Sequence, residues 1–338
     1  MSKQYNVAVV GATGLVGQEF LKIAMQRRFP IKGLKLLASH RSAGRKITYG
    51  EWEIEVEEAT SKSFAGCDLA FFSATTEVSK SLIPPAVKSG AIVIDDSSAW
   101  RMEPDVPLVV PEVNGDDLMD HKGIISIPNC PTTPLCQVLW PVHKINRIQR
   151  LIVDTYQSVS GTGAAAVQEL TEQTRQVLDG NQTRPHVYPH QIAFNLLPQV
   201  DVFLGSGYTK EEWKVMNETR KILHEPDLAV SATCVRVPVY TGHSEAIHVE
   251  FTKTISPEDF YNILREAPGV TVQDEPSVNV YPTPWNVAGR DDTYVGRIRQ
   301  DASHPNGIAF WLVSDNIRKG AALNAIQIAE ELIERGLI

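Results

Sequence analysis

The sequence predicts a two-domain α/β protein, with a Rossmann-like dinucleotide-binding domain first and an α+β domain after it. In the first third of the chain, apolar runs such as Tyr5–Val10 and Leu69–Phe72 alternate with stretches of helical periodicity such as Leu15–Gln26. This alternation is typical of a parallel sheet with crossover helices. A glycine-rich turn follows the first of these strands. Farther along, longer strands carry polar residues at alternate positions, at residues 151–158, 229–239 and 245–252.

The remaining elements follow from the same two patterns. Short apolar runs predict further strands, at residues 34–38, 91–94 and 308–313. Helical periodicity predicts helices at residues 164–178, 211–223 and 317–335. A helix over 79–88 should break or restart at Pro84-Pro85, because proline lacks the backbone donor and clashes with the preceding turn. The polar alternation of the long strands fits a sheet that is covered on one face and exposed, or used for association, on the other.

The composition excludes several classes of protein. Of 338 residues, 43% are hydrophobic and 21% are charged, and the formal net charge is -8, which is ordinary for a globular protein. No basic tract is present, so neither nucleic acid nor an anionic membrane surface is an expected partner. No apolar run reaches the ~18 residues that a membrane span requires, and no signal peptide precedes the first strand. We therefore expect a cytoplasmic protein.

The glycine turn has the sequence "VAVVGATGLVGQEF", which places Gly11, Gly14 and Gly17 between a strand and a helix. A tight turn needs residues without Cβ, and the helix that follows offers unpaired N–H groups and a partial positive charge to a phosphate. The spacing differs from G-x-G-x-x-G, but its strand–glycine–helix context predicts dinucleotide binding. The alternative is a turn whose glycines serve helix–strand packing alone.

The second strand bears on the choice of dinucleotide. It runs into "LKLLASHRSAGRK", where Arg41 and Ser42 stand at the position that usually carries an Asp or Glu in NAD-preferring sites. No carboxylate is expected there to repel a 2′-phosphate, and an arginine and a serine suit one. The sequence therefore favours NADP. The alternative is that Arg41 and Arg45 are solvated loop charges.

Of four cysteines, Cys130 has the surroundings of a nucleophile. No pair is spaced C-x-x-C and no histidines cluster beside them, so neither a metal site nor a disulfide framework is expected. Cys130 lies in "PNCPTTPL", where Thr132, Thr133 and Pro134 are expected to supply the capping and first-turn chemistry of a helix whose positive end would lower the thiol pKa. The alternative is a small buried hydrophobic residue, as we expect for the other three, Cys67, Cys136 and Cys234.

A second polar group lies in "CVRVPVYTGHSEAIHVEF". Arg236 lies on one predicted strand, and after a turn at Thr241-Gly242 His243 opens the next, so a hairpin could project both toward one cleft. Arginine pairs with carboxylates in bidentate fashion, and histidine exchanges protons near neutral pH. The alternative for His243 is a turn residue facing water, and His248 is expected to be structural.

Taken together, six motifs resemble those of the aspartate-β-semialdehyde dehydrogenase family: "GATGLVG", "SSAWRM", "PNCPTTPL", "TYQSVSGTG", "RVPVYTGHSE" and "DNIRKGAALNAIQIAE". The resemblance spans nearly the whole chain. It implies a glyceraldehyde-3-phosphate-dehydrogenase-like fold, with an NADP-binding domain at residues 1–130 completed by a C-terminal helix at 317–338. A catalytic, substrate-binding and dimerisation domain would cover 131–316, and its broad sheet would face the partner in a homodimer.

The resemblance also implies an activity. Such enzymes reduce L-aspartyl-4-phosphate with NADPH to aspartate semialdehyde, in the biosynthesis of lysine (through diaminopimelate), threonine, methionine and isoleucine. Cys130 would form an acyl-thioester, and His243 would act as the acid/base that takes the thiol proton. Gln157 would orient the substrate, whose carboxylate would bind Arg236.

The same resemblance assigns further binding residues. Glu211 would meet the substrate ammonium, while Arg101 and Lys214 would hold phosphate, with Asn129 nearby. The residues implied for the NADP site are Gly11, Thr13, Gly14, Leu15, Val16, Arg41, Ser42, Ser160, Gly161 and Asn316. Without the resemblance, Glu211 and Lys214 read as a surface i,i+3 ion pair and Arg101 as a solvated loop charge.

Two other functions remain open at this point. N-acetyl-γ-glutamyl-phosphate reductase shares the glycine turn, the thioester cysteine and a histidine, but its acylated substrate amine gives Glu211 no ammonium to bind. A non-catalytic NADP-binding sensor could keep the fold without the chemistry, since function is decided by the site and not by the fold.

Overall fold

The protein is described by a computed structural model over residues 3–338. Met1 and Ser2, which the first predicted domain includes, lie outside the described residues. The chain forms two compact units. The first comprises the residues up to Asn129 together with Ala321–Ile338, and the second comprises Cys130–Gly320.

The strands and helices are numbered in chain order. The strands are β1 (Tyr5–Val10), β2 (Ile31–Ala38), β3 (Lys46–Tyr49), β4 (Trp52–Glu58), β5 (Leu69–Phe72), β6 (Ile92–Asp95), β7 (Ile124–Ser126), β8 (Ile148–Gln157), β9 (Ala229–Arg236), β10 (His243–Phe251), β11 (Val270–Val272), β12 (Thr293–Gln300) and β13 (Gly307–Ser314). The helices are α1 (Leu15–Gln26), α2 (Thr76–Lys88), α3 (Pro111–Asn114), α4 (Thr132–His143), α5 (Ala164–Leu178), α6 (Lys210–Ile222), α7 (Pro257–Arg265), α8 (Pro284–Val287) and α9 (Leu323–Glu334). No helix within residues 3–338 is long and apolar enough to cross a bilayer.

The first unit is built on a sheet with the strand order β3-β4-β2-β1-β5-β6-β7. The chain passes from β1 to β2 on one side and later returns to β5 on the other, and both pairings with β1 are parallel. Ligands of open α/β sheets bind at such a switch point, beyond the carboxyl ends of the strands. The predicted Rossmann-like parallel sheet is therefore confirmed.

Both faces of this sheet are buried. On one face Phe20 of α1 stacks on Phe71 of β5, with ring centroids 4.3 Å apart, and Ile326 and Leu332 of α9 join the same core. On the other face Phe72 and its neighbours pack with α2. Sheets covered on both sides have near-continuous apolar strands, which explains why β1 and β5 were recognisable from the sequence.

The expected interruption of the second helix is wrong. Helix α2 runs through Pro84 and Pro85 without a break. The two prolines withdraw hydrogen bonds from the carbonyls of Lys80 and Ser81, both of which are exposed. Water can serve those carbonyls, so the loss of the two backbone donors costs less than it would on a buried face.

The second unit is built on a mixed sheet with the strand order β11-β12-β13-β10-β8-β9. Burial alternates along its strands, so that one face is covered and the other is partly open. Helices α6 and α4 lie on the covered side, where α6 packs on β9 and α4 packs on α6. On the open face the rings of Tyr156 and Trp311 lie 5.4 Å apart. The predicted one-sided sheet is confirmed.

The predicted hairpin between Arg236 and His243 is wrong. Strand β9 pairs in parallel with β8, and β10 pairs antiparallel with the opposite edge of β8. The segment between β9 and β10 therefore crosses the end of β8 instead of making a tight turn. Arg236 still comes near His243, because each stands at a strand end beside the last residue of β8.

The charged hairpin formed by β3 and β4 was not predicted. Its strand "WEIEVEE" alternates glutamate with apolar residues, and six of its seven side chains are exposed or half-buried. The closing helix also differs from the prediction. A π-helical turn over Arg318–Ala322 precedes α9, where ordinary α-helical periodicity was expected from residue 317.

Glu169 of α5 holds the loop at residues 179–189, and this supplies a first prediction. Its buried carboxylate accepts hydrogen bonds from the backbone N–H groups of His186 and Val187, at 2.8 and 2.6 Å. Glu169→Gln should destabilise the protein by about 1–3 kcal/mol, because a neutral amide oxygen accepts these bonds more weakly than a carboxylate and its NH2 group would face the N–H of Tyr188, which lies 3.4 Å from Oε1. Chemical denaturation measures this change, and proteolysis within the loop should become faster. Glu172→Gln, on the exposed side of the same helix, is the matched control, and an equal loss there would contradict the assignment.

Candidate active site

Four polar side chains stand in one row across the covered face of the second sheet. The register pairs Gln157 of β8 with Arg236 of β9, and His243 of β10 with Ser314 of β13. The pairing of Ser244 with Tyr156 brings Gln157 and His243 side by side. Because alternate residues of a strand face the same way, this end of the sheet presents an arginine, an amide and an imidazole together.

Cys130 lies next to this row. Its Sγ is 3.3 Å from Nε2 of His243. Helix α4 begins two residues later, at Thr132, and its N-cap is Pro131, which makes no side-chain hydrogen bond. Thr132, Thr133 and Pro134 form the first turn as predicted, but the predicted capping is wrong, because all three lie inside the helix. The uncapped helix N-terminus still stabilises negative charge on a nearby sulfur.

The other three cysteines have different surroundings. Cys67, Cys136 and Cys234 are buried, whereas Cys130 is partly exposed, and all four are free thiols. Burial raises the pKa of Cys67, Cys136 and Cys234 above that of an ordinary thiol. The thiolate is the reactive form of cysteine. Cys130 is therefore the cysteine whose position best suits a nucleophile.

The imidazole of His243 is held from its other side by Ser158. The backbone N–H of Ser158 donates to Nδ1 over 3.0 Å, and Ser158 Oγ lies 3.0 Å from the same nitrogen. The ring is 1% exposed. Burial, reinforced by the positive charge of Arg236 and opposed by Glu211, lowers the pKa of His243 to about 3. The ring is therefore neutral at physiological pH.

Gln157 belongs to a chain of polar side chains. Its Nε2 donates to Glu211 over 2.9 Å, and Glu211 pairs with Lys214 over 2.6 Å. Lys214 also reaches Asp201, at 3.2 Å. The side chains of Glu211 and Lys214 are only 6% and 13% exposed. The expectation that Glu211 and Lys214 form a surface ion pair is therefore wrong. Through Gln157, this network connects helix α6 to the row of polar side chains on the second sheet.

Arg236 is a buried cation without an ion-pair partner among residues 3–338. Its Nη1 donates to the carbonyl of Ser158 over 2.6 Å, and its guanidinium lies 5.9 Å from the ring centroid of Tyr188. Its buried Nε has no hydrogen-bond partner within that part of the chain. A buried donor of this kind needs an acceptor, and a carboxylate offers one in the fork geometry that arginine prefers.

Three residues predicted for the cofactor site lie in the second unit, around Ser158. Asn316 Oδ1 accepts hydrogen bonds from the N–H of Gly242 and from Ser158 Oγ, and Asn316 Nδ2 donates to Ser160 Oγ. Gly161 approaches so closely that a Cβ built on it would lie 3.1 Å from Arg236 Nη1 and 3.2 Å from His243 Nε2.

The glycine turn in the first unit forms a cleft of about 600 Å³ at the ends of β1, β2 and β5. Gly11, Thr13 and Gly14 line it. Gly11 has a positive φ, and a Cβ there would lie 1.9 Å from the carbonyl oxygen of Ser73, so only glycine fits. The helix α1 that follows has no side-chain cap at Gly14. An uncapped helix N-terminus beside a cleft fits the phosphates of a dinucleotide.

The remaining predicted residues of this unit are near the same turn. Leu15 and Val16 open α1. Ser42 Oγ lies 3.4 Å from Thr13 Oγ1. Arg41 is exposed, without an ion-pair partner in the described part of the chain.

The expectation that no carboxylate stands at this end of the cleft is wrong. Strand β4 pairs with β2 so that Glu58 lies opposite Ala38, and Glu58 lines the cleft beside His40. Glu58 Oε2 is 3.2 Å from His40 Nδ1. This carboxylate could not be predicted from the sequence of β2, because it belongs to the neighbouring strand β4.

Arg101 and Asn129, implied as phosphate-site residues, both belong to the first unit. Arg101 is 5% exposed and donates to the carbonyl of Asp96 over 2.7 Å. The solvated-loop reading of Arg101 is therefore wrong. Asn129 is buried and directly precedes Cys130 in the chain.

Sequence reasoning missed several residues around the site. Ser158 was overlooked although it lies inside a quoted motif, as was Gly320, whose missing Cβ would lie 2.9 Å from Cys130 Cβ. Glu245 faces the same way as His243, two residues on, and is fully buried. Burial raises its pKa well above the ordinary range, and neither of its oxygens has a hydrogen-bond partner within residues 3–338. Burial therefore favours its protonated form.

Within residues 3–338 no group of three or more His, Cys, Asp and Glu side chains is placed to hold a metal ion. His248, expected to be structural, contacts Asp301 over 2.6 Å on the open face.

A Rossmann-like unit with a glycine-turn cleft, and a second unit with a cysteine–histidine pair beside a buried arginine, define the class of semialdehyde dehydrogenases. The family "Semialdehyde dehydrogenase, NAD binding domain" matches residues 6–121. The family "Semialdehyde dehydrogenase, dimerisation domain" matches residues 139–319.

Full-length relatives narrow the class further. An aspartate-semialdehyde dehydrogenase of Bacillus subtilis is 50% identical, with 100% of each chain covered, and one of Aquifex aeolicus is 52% identical, with 99% of each covered. The crystal structure of aspartate semialdehyde dehydrogenase II from Vibrio cholerae, complexed with ASA, has a TM-score of 0.96 at 42% identity and covers 98% of this chain and 99% of its own. The chain belongs to the aspartate-semialdehyde dehydrogenase family, and it is an oxidoreductase of amino-acid biosynthesis in the aspartate pathway.

The close approach of Gly161 gives a prediction for this site. Gly161→Ala should lower kcat/KM by ~10–100-fold, because the new methyl group displaces the imidazole and guanidinium by a few tenths of an ångström or more. The protein should keep its thermal stability. Gly205→Ala, at a glycine with nothing within 4 Å of a built Cβ, is the control. Steady-state kinetics measures kcat/KM for both variants. Equal activity of the two would contradict the close approach of Gly161 to His243 and Arg236.

Proposed function

We propose that the protein reduces L-aspartyl-4-phosphate to L-aspartate-4-semialdehyde with NADPH, through an acyl-thioester on Cys130. The observation that carries the proposal is the 3.3 Å contact between Cys130 Sγ and His243 Nε2, next to a buried arginine that lacks an ion-pair partner within residues 3–338. Membership of the family supplies the substrate class, and the ASA complex of the Vibrio cholerae relative supports it.

The chain's own side chains account for recognition of a substrate with charge at several places. Arg236 would bind the α-carboxylate through its unpartnered Nε and the remaining guanidinium N–H groups. Glu211, already hydrogen-bonded to Gln157, would bind the α-ammonium. Lys214 and Arg101 are the proposed partners of the phosphate, with Asn129 nearby. An N-acetylated substrate would leave Glu211 without an ammonium, which disfavours the acetylglutamyl-phosphate reductase alternative.

Covalent catalysis explains the need for a sulfur nucleophile. The sulfur of Cys130 would displace phosphate from the acyl phosphate, which converts one difficult reduction into two easier steps. His243, whose Nε2 lies 3.3 Å from the sulfur, would be the acid/base that takes the thiol proton and later transfers one at the hydride step. When bound, the nicotinamide dinucleotide supplies the hydride that reduces the thioester.

We propose NADP as the dinucleotide. Gly11, Thr13 and Gly14 line the cleft that would hold its phosphates, and exposed Arg41, with Ser42, would bind the 2′-phosphate. Glu58 opposes this preference, because a carboxylate in the same cleft accepts hydrogen bonds from an unphosphorylated ribose. The two groups together predict a preference for NADP that falls short of exclusion of NAD.

We also propose a homodimer formed through the second unit. The matched family is a dimerisation domain, and the unit exposes apolar side chains such as Trp285, 88% exposed, and Tyr240, 45% exposed. Exposed aromatic residues of this size are enriched at interfaces. The cytoplasmic location remains a prediction from the sequence.

A covalent adduct tests the proposed function. After brief exposure to aspartate semialdehyde and NADP without phosphate, mass spectrometry should find an aspartyl group on Cys130. Cys130→Ser should bind NADP but lose nearly all turnover and all labelling. Activity of that variant within about tenfold of the parent, roughly 1.4 kcal/mol in barrier, or an adduct on another cysteine, would exclude the mechanism. N-acetyl-glutamate semialdehyde, assayed beside it, should give no adduct.

Cofactor choice gives a separate prediction. Arg41→Ala should raise the Kd for NADP by ~10–100-fold, the value of one charge-assisted hydrogen bond, and should leave the Kd for NAD nearly unchanged. Glu58→Gln should weaken NAD and strengthen NADP. Arg45→Ala removes the same charge from the same loop and is the control. Isothermal titration measures all three, and equal losses for Arg41→Ala and Arg45→Ala would show a general charge effect instead of a 2′-phosphate contact.

A further inference from the structure

The ring of Tyr188 lies against the buried arginine of the candidate active site. The guanidinium carbon of Arg236 stands over the tyrosine ring, 5.9 Å from its centroid. A cation within about 6 Å of an aromatic ring centroid is attracted by the negative charge at the face of the ring. Arg236 is 6% exposed and has no ion-pair partner among residues 3–338. The ring therefore offsets part of the cost of burying a charge that no carboxylate of that part of the chain neutralises.

An aromatic partner leaves the hydrogen-bond donors of the guanidinium available. Nη1 donates to the carbonyl of Ser158 over 2.6 Å, whereas the buried Nε has no hydrogen-bond partner within residues 3–338. A carboxylate supplied by the protein would accept hydrogen bonds from these N–H groups before any substrate arrived. The ring attracts the positive charge as a whole and needs no N–H group. Arg236 can therefore stay buried and still bind the carboxylate of a substrate.

The tyrosine ring is attached to the same local framework as the arginine. Its hydroxyl donates to Oγ1 of Thr162 over 3.0 Å. The ring packs beside a small apolar cluster that includes Val159 and Leu197. The backbone of Leu197 in turn exchanges two hydrogen bonds with the backbone of Arg236, at 2.8 and 3.0 Å. Ring and guanidinium are therefore positioned by one set of contacts.

Helix α5 holds the segment that carries Tyr188, residues 186–193, at both of its ends. Glu169 and Gln173 are buried and stand four residues apart, on one face of the helix. The carboxylate of Glu169 accepts hydrogen bonds from the first backbone N–H groups of the segment, at 2.8 and 2.6 Å. Oε1 of Gln173 accepts from the last two, at 2.9 and 3.2 Å. The position of the ring is thus fixed by the helix and not by the loop alone.

We propose, on the basis of the function proposed above, that Tyr188 is a positioning residue that sets the affinity of Arg236 for the α-carboxylate of the substrate. The ring holds the guanidinium in place and stabilises its charge without using its donors. Tyr188 takes part in no bond-making or proton-transfer step, because it acts through Arg236. The segment 186–193 and helix α5 are thereby part of the device that selects a substrate with a carboxylate.

Three single substitutions separate the ring from its hydroxyl. Tyr188→Leu should raise the KM for aspartate semialdehyde by ~3–30-fold, the range of a desolvated cation–π contact, and change kcat by less than about twofold. Tyr188→Phe keeps the ring and should keep both constants within about twofold of the parent. Thr162→Val removes the acceptor of the hydroxyl and is the matched control, which should behave like Tyr188→Phe. A loss in Tyr188→Phe as large as in Tyr188→Leu would assign the effect to the hydroxyl and overturn the proposal.

A double-mutant cycle tests whether Tyr188 acts through Arg236. Arg236→Met keeps most of the side-chain length, removes the charge and should raise the KM by itself. In that background Tyr188→Leu should change kcat/KM by less than about twofold, whereas in the parent it should lower kcat/KM by ~3–30-fold. Equal losses in the two backgrounds would show that Tyr188 acts independently of the arginine, which would refute the proposal.

Folding of these variants is checked separately. Circular dichroism and the Kd for NADP should match those of the parent in all of them. Should Tyr188→Leu lose its fold, Tyr188→Met takes its place in the cycle, because methionine is unbranched and fills irregular space.

The results are separable from those of the proposed function. Absence of an aspartyl adduct on Cys130 in the parent refutes the proposed mechanism, whatever the variants of Tyr188 do. If the adduct forms but Arg236→Met leaves the KM for aspartate semialdehyde unchanged, Arg236 does not bind the carboxylate, and the role of Tyr188 fails with it. If Arg236→Met raises the KM and Tyr188→Leu does not, the role of Tyr188 alone is refuted.

Discussion

The backbone of one residue, Ser158, connects the two main polar side chains of the candidate site in the second unit. Its N–H binds the imidazole of His243, and its carbonyl binds the guanidinium of Arg236. Neither side chain could keep its place alone, since each stands at the end of a strand. The parallel pairing of β8 with β9 and the antiparallel pairing of β8 with β10 put the two groups on either side of this residue. The register of the strands therefore decides which positions of the sequence come together at the site.

Burial shifts the pKa values of the ionisable groups around Ser158. It raises the pKa of Glu245 well above its usual range and lowers the pKa of His243 to about 3, so the imidazole is neutral at physiological pH. Glu211 is paired with Lys214 over 2.6 Å. Arg236 is thus the buried charge of this group that has no ion-pair partner within the described chain. A buried cation is costly until an anion binds it, so this arrangement favours an anionic substrate over water.

The sequence predicted elements well where one pattern decides them. The strands β1 and β5, in which Asn6 is the one polar residue, and the helices α1 and α5 have their predicted bounds. Burial on both faces marks the strands in the sequence, and burial along one stripe marks the helices. Prediction from the sequence failed where the pairing of neighbouring strands decides which residues come together. Glu58 enters the dinucleotide cleft through the pairing of β4 with β2, and Arg236 approaches His243 across β8 and not through a hairpin. The π-helical turn that sets Gly320 against Cys130 has no signature in periodicity.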